Sequence, residues 1–448
     1  MQDVESGSLH QVDEAAYAYI NRLKSVDPNR EQALLTCRED LDESRVIAAR
    51  TAPRSGSSGV IKEVTQLIEA GLLFCDANEI DTDSYMKNRK PLVKALCLHI
   101  AHECNLSCKY CFAGNGNYSE TDRGLMPFAV GKKSLDFLIQ SSGDRYNLEV
   151  DFFGGEPMLN FDVVKELVTY GRKREREVGK RFRFTLTTNA AIMAEADMNY
   201  INAHMDNVVL SLDGRAEVNN RMRMFCNGTG SYDEVAANIK NFVASRGKKS
   251  HYVRGTYTAF NKDFAADVLH LADLGFKHVS VEPVVAPPTE DYALSESDLP
   301  ILFAEYEKLA EELLKRDDVN FFHFSINPKG GPCLAKRVTG CGAGSEYLAV
   351  TPSGRLYPCH QFVGDEAFCL GNLETGIVKA LDFAACHVNS KSECKKCWAK
   401  YYCSGGCMAN AFYTNGDIMK PDKLSCELQK KRIECALYLY AVKSERVN

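Results

Sequence analysis

The sequence predicts an α/β fold: a partial (β/α)6 TIM-like parallel barrel, preceded by a small winged-helix-like unit and followed by a cysteine-rich domain. Three observations carry this. Between residues 91 and 325, six short apolar runs alternate with stretches of helical periodicity, the pattern of strand–helix repeats around a parallel sheet. Eleven of the 18 cysteines fall between Cys333 and Cys435, a density that suits a small domain folded around metal. The first 90 residues show two helical patterns and a short apolar run. The expected divisions are therefore 1–90, 91–325 and 326–448.

In order along the chain, a helix is expected over 12–23, where Ala15, Ala16, Tyr19, Ile20 and Leu23 recur at helical spacing. A second is expected over 58–71, on Val60, Val64, Leu67 and Ile68, with Gly71 as an end signal. A short strand, 72–75, would begin the wing, and 49–59 reads as a loop. The barrel strands are expected at 95–102, 147–153, 182–188, 207–212, 252–258 and 278–284. Helices are expected at 130–139, 161–178, 231–244, 262–274 and 296–315, the third opened by a capping box of Ser231 and Glu234. Six strands rather than eight suggest a partial barrel, and an open doubly wound sheet is the alternative. A last helix is expected over 424–442. The basic cluster from Arg172 to Arg176 reads as the solvated end of a helix.

Composition narrows the function. Of the 448 residues 45% are hydrophobic and 25% charged, which excludes global disorder. No run approaches the roughly 18 apolar residues of a membrane span, so no membrane is expected. Fifty-four basic against 60 acidic residues give a net charge of −6, with no electrostatic reason to expect nucleic acid. Residues 1–10 carry Asp3 and Glu5 and no apolar core, unlike a secretion signal. The expected location is the cytoplasm, where disulfides are disfavoured and cysteines are free, catalytic or metal-bound.

Cys104, Cys108 and Cys111 form C-x3-C-x2-C directly after the first expected strand. Three thiolates on one tight loop suit a cubane iron–sulfur cluster, which ordinarily takes four. One iron then lacks a protein ligand, and an open position is what a catalytic metal site keeps. A zinc loop short of its fourth ligand is the alternative. Gly154-Gly155-Glu156-Pro157 ends the second strand. Its glycines allow close backbone approach, and its carboxylate could bind an ammonium. Thr187-Thr188-Asn189 and Ser211-Leu212-Asp213-Gly214 end the third and fourth strands, placing short polar side chains at the barrel mouth. Each could equally be a turn or cap.

With Tyr110 and Phe112 flanking the last cysteine, C-x3-C-x2-C resembles the motif of the radical S-adenosylmethionine (SAM) superfamily. The resemblance implies that Cys104, Cys108 and Cys111 hold a 4Fe–4S cluster whose fourth iron is chelated by the amine and carboxylate of SAM. It implies cofactor contacts at Tyr110, Phe112, Gly154, Gly155, Glu156, Thr188, Asn189, Ser211 and Asp213, with Glu156 in the segment that meets the amine. Arg223, ten residues after Asp213, would pair with the SAM carboxylate or else be a surface arginine. Glu282 falls near the expected adenine and receives no role.

Cys341-x12-Gly354-x4-Cys359, then Cys394-x2-Cys397-x5-Cys403-x3-Cys407, then Cys426 resembles the SPASM domain. Four of these cysteines could also form a zinc ribbon, although seven exceed one tetrahedral zinc. The resemblance implies two auxiliary 4Fe–4S clusters, making three in all. Cys394, Cys397, Cys403 and Cys426 would hold the distal one. Cys341, Cys359 and Cys407 would hold the nearer one, with Cys333 or a substrate thiolate as fourth ligand. Cys369, Cys386 and Cys435 read as buried small hydrophobes.

SPASM-bearing radical enzymes mostly modify peptides, and the chain resembles the sactipeptide maturases that act on six-cysteine precursors. This implies a 5′-deoxyadenosyl radical that forms a thioether between a cysteine sulfur and an α-carbon of a ribosomally made peptide. A leader peptide would bind the N-terminal unit by adding to a strand edge, unless that unit is merely structural. An external electron donor of flavodoxin or ferredoxin type is implied. Formylglycine formation in a sulfatase, carbon–carbon cross-linking and a non-catalytic zinc-dependent peptide-binding module remain as alternatives. No general acid or base is legible.

Overall fold

The computed structural model describes residues 2–3, 10, 12–26, 34–35, 57–70, 72–74, 92–118, 123–326, 334–379, 381 and 383–445. Its centre is a parallel sheet of β1 (Ala95–His102), β2 (Asn147–Gly154), β3 (Arg181–Thr188), β4 (Asn207–Ser211), β5 (Tyr252–Tyr257) and β6 (His278–Pro283). These lie side by side in chain order. A doubly wound sheet reverses its order at a switch point, so this winding is of the barrel kind. β7 (Asn320–Phe321) pairs parallel outside β6, and β8 (Tyr347–Val350) pairs parallel outside β1. β8 then turns back antiparallel into β9 (Arg355–Tyr357). The cysteine-rich region is thus built onto the edge of the barrel sheet.

The strands alternate. Leu148, Val150 and Phe152 of β2, Phe182, Phe184 and Leu186 of β3, and Val208 and Leu210 of β4 are buried in one core. Phe152 and Phe182 both stack on Phe184, with ring centroids 5.5 and 5.7 Å away. The intervening residues are mostly polar: Glu149 and Asp151, then Arg183, Thr185 and Thr187, then Asn207 and Ser211, with Phe153 and Val209 as the apolar exceptions. Parallel strands covered on both faces are apolar throughout. Period-two patterning here means that the inner face is a polar chamber wall and that helices cover only the outside.

The covering helices are α3 (Phe128–Ser141), α4 (Phe161–Val178), α5 (Glu195–His204), α6 (Tyr232–Arg246), α7 (Phe264–Asp273) and α8 (Leu299–Leu313). The capping box expected at Ser231 and Glu234 is absent. Ser231 Oγ instead donates to the Arg223 carbonyl at 2.7 Å and accepts from Asn219 Nδ2 at 3.1 Å. A true capping box stands before α8, where Ser295 and Asp298 exchange bonds. The Arg172–Arg176 cluster is less solvated than expected, because Arg172 Nη1 reaches the Phe182 carbonyl at 2.8 Å and Arg174 Nε reaches Asp136 at 3.1 Å.

Ahead of the barrel, α1 (Glu14–Val26) packs on α2 (Ser57–Glu69) around Ile20, Val60, Val64 and Leu73. Leu72–Phe74 is a bend and not the expected strand, and Cys75 lies outside the described residues. At the far end, α9 (Lys423–Glu445) packs against α8. Its buried Arg432 donates to Tyr306 Oη at 2.7 Å and to Glu282 at 3.2 Å. Glu282, at the end of β6, also meets His323 at 3.1 Å. It is therefore an anchor for the C-terminal helix. No helix among the described residues is long and apolar enough to cross a membrane.

Candidate active site

The first cysteine loop leaves the end of β1 and is held from two sides. Leu106–Cys108 pairs antiparallel with Arg223–Phe225, placing Cys108 opposite Arg223. The Gly154–Gly155 turn presses on the loop from beneath, with Gly155 N donating to the Ala101 carbonyl at 2.7 Å and Glu156 N to the Glu103 carbonyl at 2.8 Å. A Cβ on Gly154 would stand 2.3 Å from the Ala101 oxygen, and one on Gly155 would stand 2.1 Å from the Glu103 oxygen. Both glycines are therefore required by close approach. Cys104 Sγ accepts from Leu106 N at 3.4 Å and from Asn189 Nδ2 at 3.7 Å. Burial pushes the Cys104 thiol up to about 12 and the Cys108 thiol up to about 11, and Cys111 is near enough to each to add to the rise.

Glu156 is 1% exposed. Its carboxylate accepts from Met158 N at 2.9 Å, Thr188 Oγ1 at 2.7 Å and Asn189 N at 2.7 Å. Both oxygens are engaged by the loop ends of β2 and β3, so Glu156 braces these loops. Asn189 extends the brace to the cysteine loop, donating to Asn105 Oδ1 at 2.8 Å. Asp213 is wholly buried. It accepts from Tyr110 Oη at 2.7 Å and from Thr256 N at 3.0 Å, and Arg223 Nη1 donates to the same phenol oxygen at 3.0 Å. Burial raises Asp213 to about 6, while Arg223 and Tyr110 pull the other way. Arg223 is thus part of a partly buried Arg–Tyr–Asp chain, and the surface reading falls. Ser211 ends β4 on the chamber face, beside Arg254. Phe112 is 54% exposed and meets Tyr118 and His360 at centroid distances of 6.1 and 5.6 Å.

The later cysteines gather in two groups. Cys394, Cys397 and Cys403 all lie near enough to Cys426 to raise its thiol, after burial, to about 12. Cys407 and Cys341 act in the same way on Cys359, also raised chiefly by burial to about 12. Cys341 and Cys407 are exposed and Cys359 is buried. Cys333 lies outside the described residues. Of the cysteines left over, Cys386 and Cys435 are buried and Cys369 half-buried.

Sequence reasoning missed the chamber wall itself. Cys97, His99, Asp151, Thr187 and Arg254 face it from β1, β2, β3 and β5, and Tyr347 and His360 border it from the C-terminal region. His99 Nδ1 and His102 Nε2 are 3.0 Å apart, and Tyr118 stacks on His102 at 4.5 Å. The strict alternation of β2 and β3 was the available signal.

The donor sets fit iron–sulfur clusters. Among the described residues no three His, Cys, Asp or Glu side chains converge on a single-ion site. Sets of three and four clustered thiols match a cubane, in which each thiolate takes a different iron. The family model described as "4Fe-4S single cluster domain" matches residues 94–235. The radical SAM cyclopropyl synthase TigE of Paramaledivibacter caminithermalis is 22% identical over 413 residues, 82% of this chain and 80% of that protein. The chain is thus similar to radical SAM enzymes over most of its length. A second radical SAM relative, the cysteine-type anaerobic sulfatase-maturating enzyme of Clostridium perfringens (strain 13 / Type A), is 25% identical over 68% of this chain and 85% of its own. Among solved structures, Streptococcus suis SuiB bound to precursor peptide SuiA shares the fold with a TM-score of 0.52 and 16% identity, covering 93% of both chains. The matched family model spans the Cys104–Cys111 loop, and the relatives support 4Fe–4S and SAM binding.

Proposed function

We propose that this radical SAM enzyme forms an intramolecular thioether, cysteine sulfur to α-carbon, in a ribosomally made, cysteine-rich precursor peptide. The observation that carries this is the group of three thiols, Cys341, Cys359 and Cys407, two of them exposed. Three described thiols on a cubane leave one iron for a fourth ligand, assigned in this reading to a substrate thiolate, a natural iron ligand, and not to Cys333, which lies outside the described residues. A cluster-bound SAM in the first loop supplies a 5′-deoxyadenosyl radical that removes a hydrogen atom from a substrate carbon. The chain's own groups orient and exclude. Glu156 and Asn189 fix the loop that carries Cys104. Arg223, Tyr110 and Asp213 fix the opposite side, with Arg223 supplying positive charge beside Cys108. The polar inner wall receives the peptide, whose leader binds the N-terminal helical unit.

In this reading Cys394, Cys397, Cys403 and Cys426 hold a second auxiliary cluster, and three clusters are present in all. Protein purified without air is then brown and carries about twelve irons per chain, four per cluster. The test is mass spectrometry of a precursor peptide treated with SAM and reductant under strict anoxia. Loss of two hydrogens per bridge, with consumption of a thiol, is the expected result, and an unchanged mass overturns the reading. Formylglycine formation is the second reading, favoured by the 25% identity to the sulfatase-maturating enzyme. Deleting residues 1–85 separates the two, because leader-dependent thioether formation then slows sharply and sulfatase maturation does not.

A further inference from the structure

Asp151 stands on the inner face of β2, half-buried, with its Cα level with that of Cys97 on β1. Thr187 Oγ1 donates to its Oδ1 at 3.2 Å. Other ionisable groups surround it. Glu149 shares its strand face, Arg183 and Arg254 stand on β3 and β5, and Tyr347 hydrogen-bonds Cys97 and reaches His360 Nδ1 at 2.9 Å. Asp151 takes no part in bracing the first cysteine loop or in either later group of cysteines. It is a carboxyl group on the wall of a chamber that has no other assigned base.

We propose that Asp151 is the proton acceptor of the reaction, a catalytic residue that takes the proton released as the bound peptide is oxidised. This rests on the reading that a peptide loses two hydrogens in this chamber. The balance is explicit. One hydrogen leaves the α-carbon as an atom and is taken up by the deoxyadenosyl group. The thiol proton passes to the Asp151 carboxylate as the sulfur takes the open iron, the sulfur–carbon bond then forms, and one electron passes to an iron–sulfur acceptor. Burial raises Asp151 to about 7, with Thr187 and Arg254 pulling it down. A base is most effective near the working pH. Burial first, then the Asp151 charge, keeps the neighbouring Cys97 thiol protonated, so it does not compete for the proton.

The test uses the holoenzyme, Asp151→Asn and Asp151→Glu, and a leader-bearing six-cysteine peptide. The expected result for Asp151→Asn is a fall of about 100-fold in two-hydrogen loss. Deoxyadenosine formation and peptide affinity stay within about twofold, and Asp151→Glu recovers most of the product. Unchanged product, or product and deoxyadenosine falling in step, overturns the proposal. An independent readout needs no turnover. The difference between infrared titrations of the peptide-free wild-type and Asp151→Asn holoenzymes should show a protonated-carboxyl band that disappears near neutral pH. Its absence from that difference also overturns the proposal. A wild type that makes deoxyadenosine but removes no hydrogens from the peptide overturns the thioether reading. An active wild type matched by Asp151→Asn overturns only the role of Asp151.

Discussion

Gly155 shows how much a single missing methyl can decide. Its Cβ would meet the backbone oxygen of Glu103, which cannot swing aside as a side chain could. Gly155→Ala should therefore distort the loop bearing Cys104. Iron analysis should show a loss of about four irons per chain, with the C-terminal clusters retained. Glu156→Gln places an amide against three donors, so at least one buried bond is lost and one donor is left facing another. A destabilisation of about 1–3 kcal/mol is expected, with weaker SAM binding read by calorimetry. Asp151 has a stability signature as well. Its carboxyl is raised in the folded protein from an ordinary value of about 4 to about 7. The proton is thus held more tightly when folded, and this contribution is lost as pH rises from about 4 through 7. Asp151→Asn removes that slope. Thermal unfolding should show the variant gaining on the wild type between pH 5 and 7 and no further above 8.

The six barrel strands were legible to within a residue or two, because each is a run of large apolar residues on one face. β1 and α4 match the expected bounds 95–102 and 161–178. The short helix Ala216–Met222 was not foreseen, since seven residues carry too few turns for a period. The capping box failed for a tertiary reason: Ser231 is drawn to the Arg223 carbonyl, part of the hairpin that supports Cys108. The role of α9 was equally hidden. Nothing in the sequence couples residue 432 to residue 282, yet Arg432 is buried against Glu282 and Tyr306. Arg432→Met takes a buried charged partner from Glu282 and leaves it His323. A loss of about 3–5 kcal/mol is expected, measurable as a lowered midpoint of thermal unfolding, with iron content unchanged in the protein that remains folded.

At the scale of the whole molecule, cysteine spacing picked out thiols that the fold brings near one another, and strand alternation could have shown the chamber wall. The sequence could not show which polar residues were spent on bracing. Glu156, Asp213 and Tyr110 are adjacent to the expected cofactor, but their bonds run to one another and to the loop ends. The same dependence on backbone support governs the joint between the barrel and the cysteine-rich region. β8 is bonded along β1 over four residue pairs, Tyr347↔Ala95 to Val350↔Leu98. Cys341 and Cys359 lie just before and just after the β8–β9 hairpin, and Cys104 follows the far end of β1. Where the first cysteine loop and the later cysteines both hold clusters, the gap between them is set in part by this hydrogen-bonded ladder. Electrons would tunnel across a medium of constant thickness, and thickening the solvent with glycerol should leave that rate untouched.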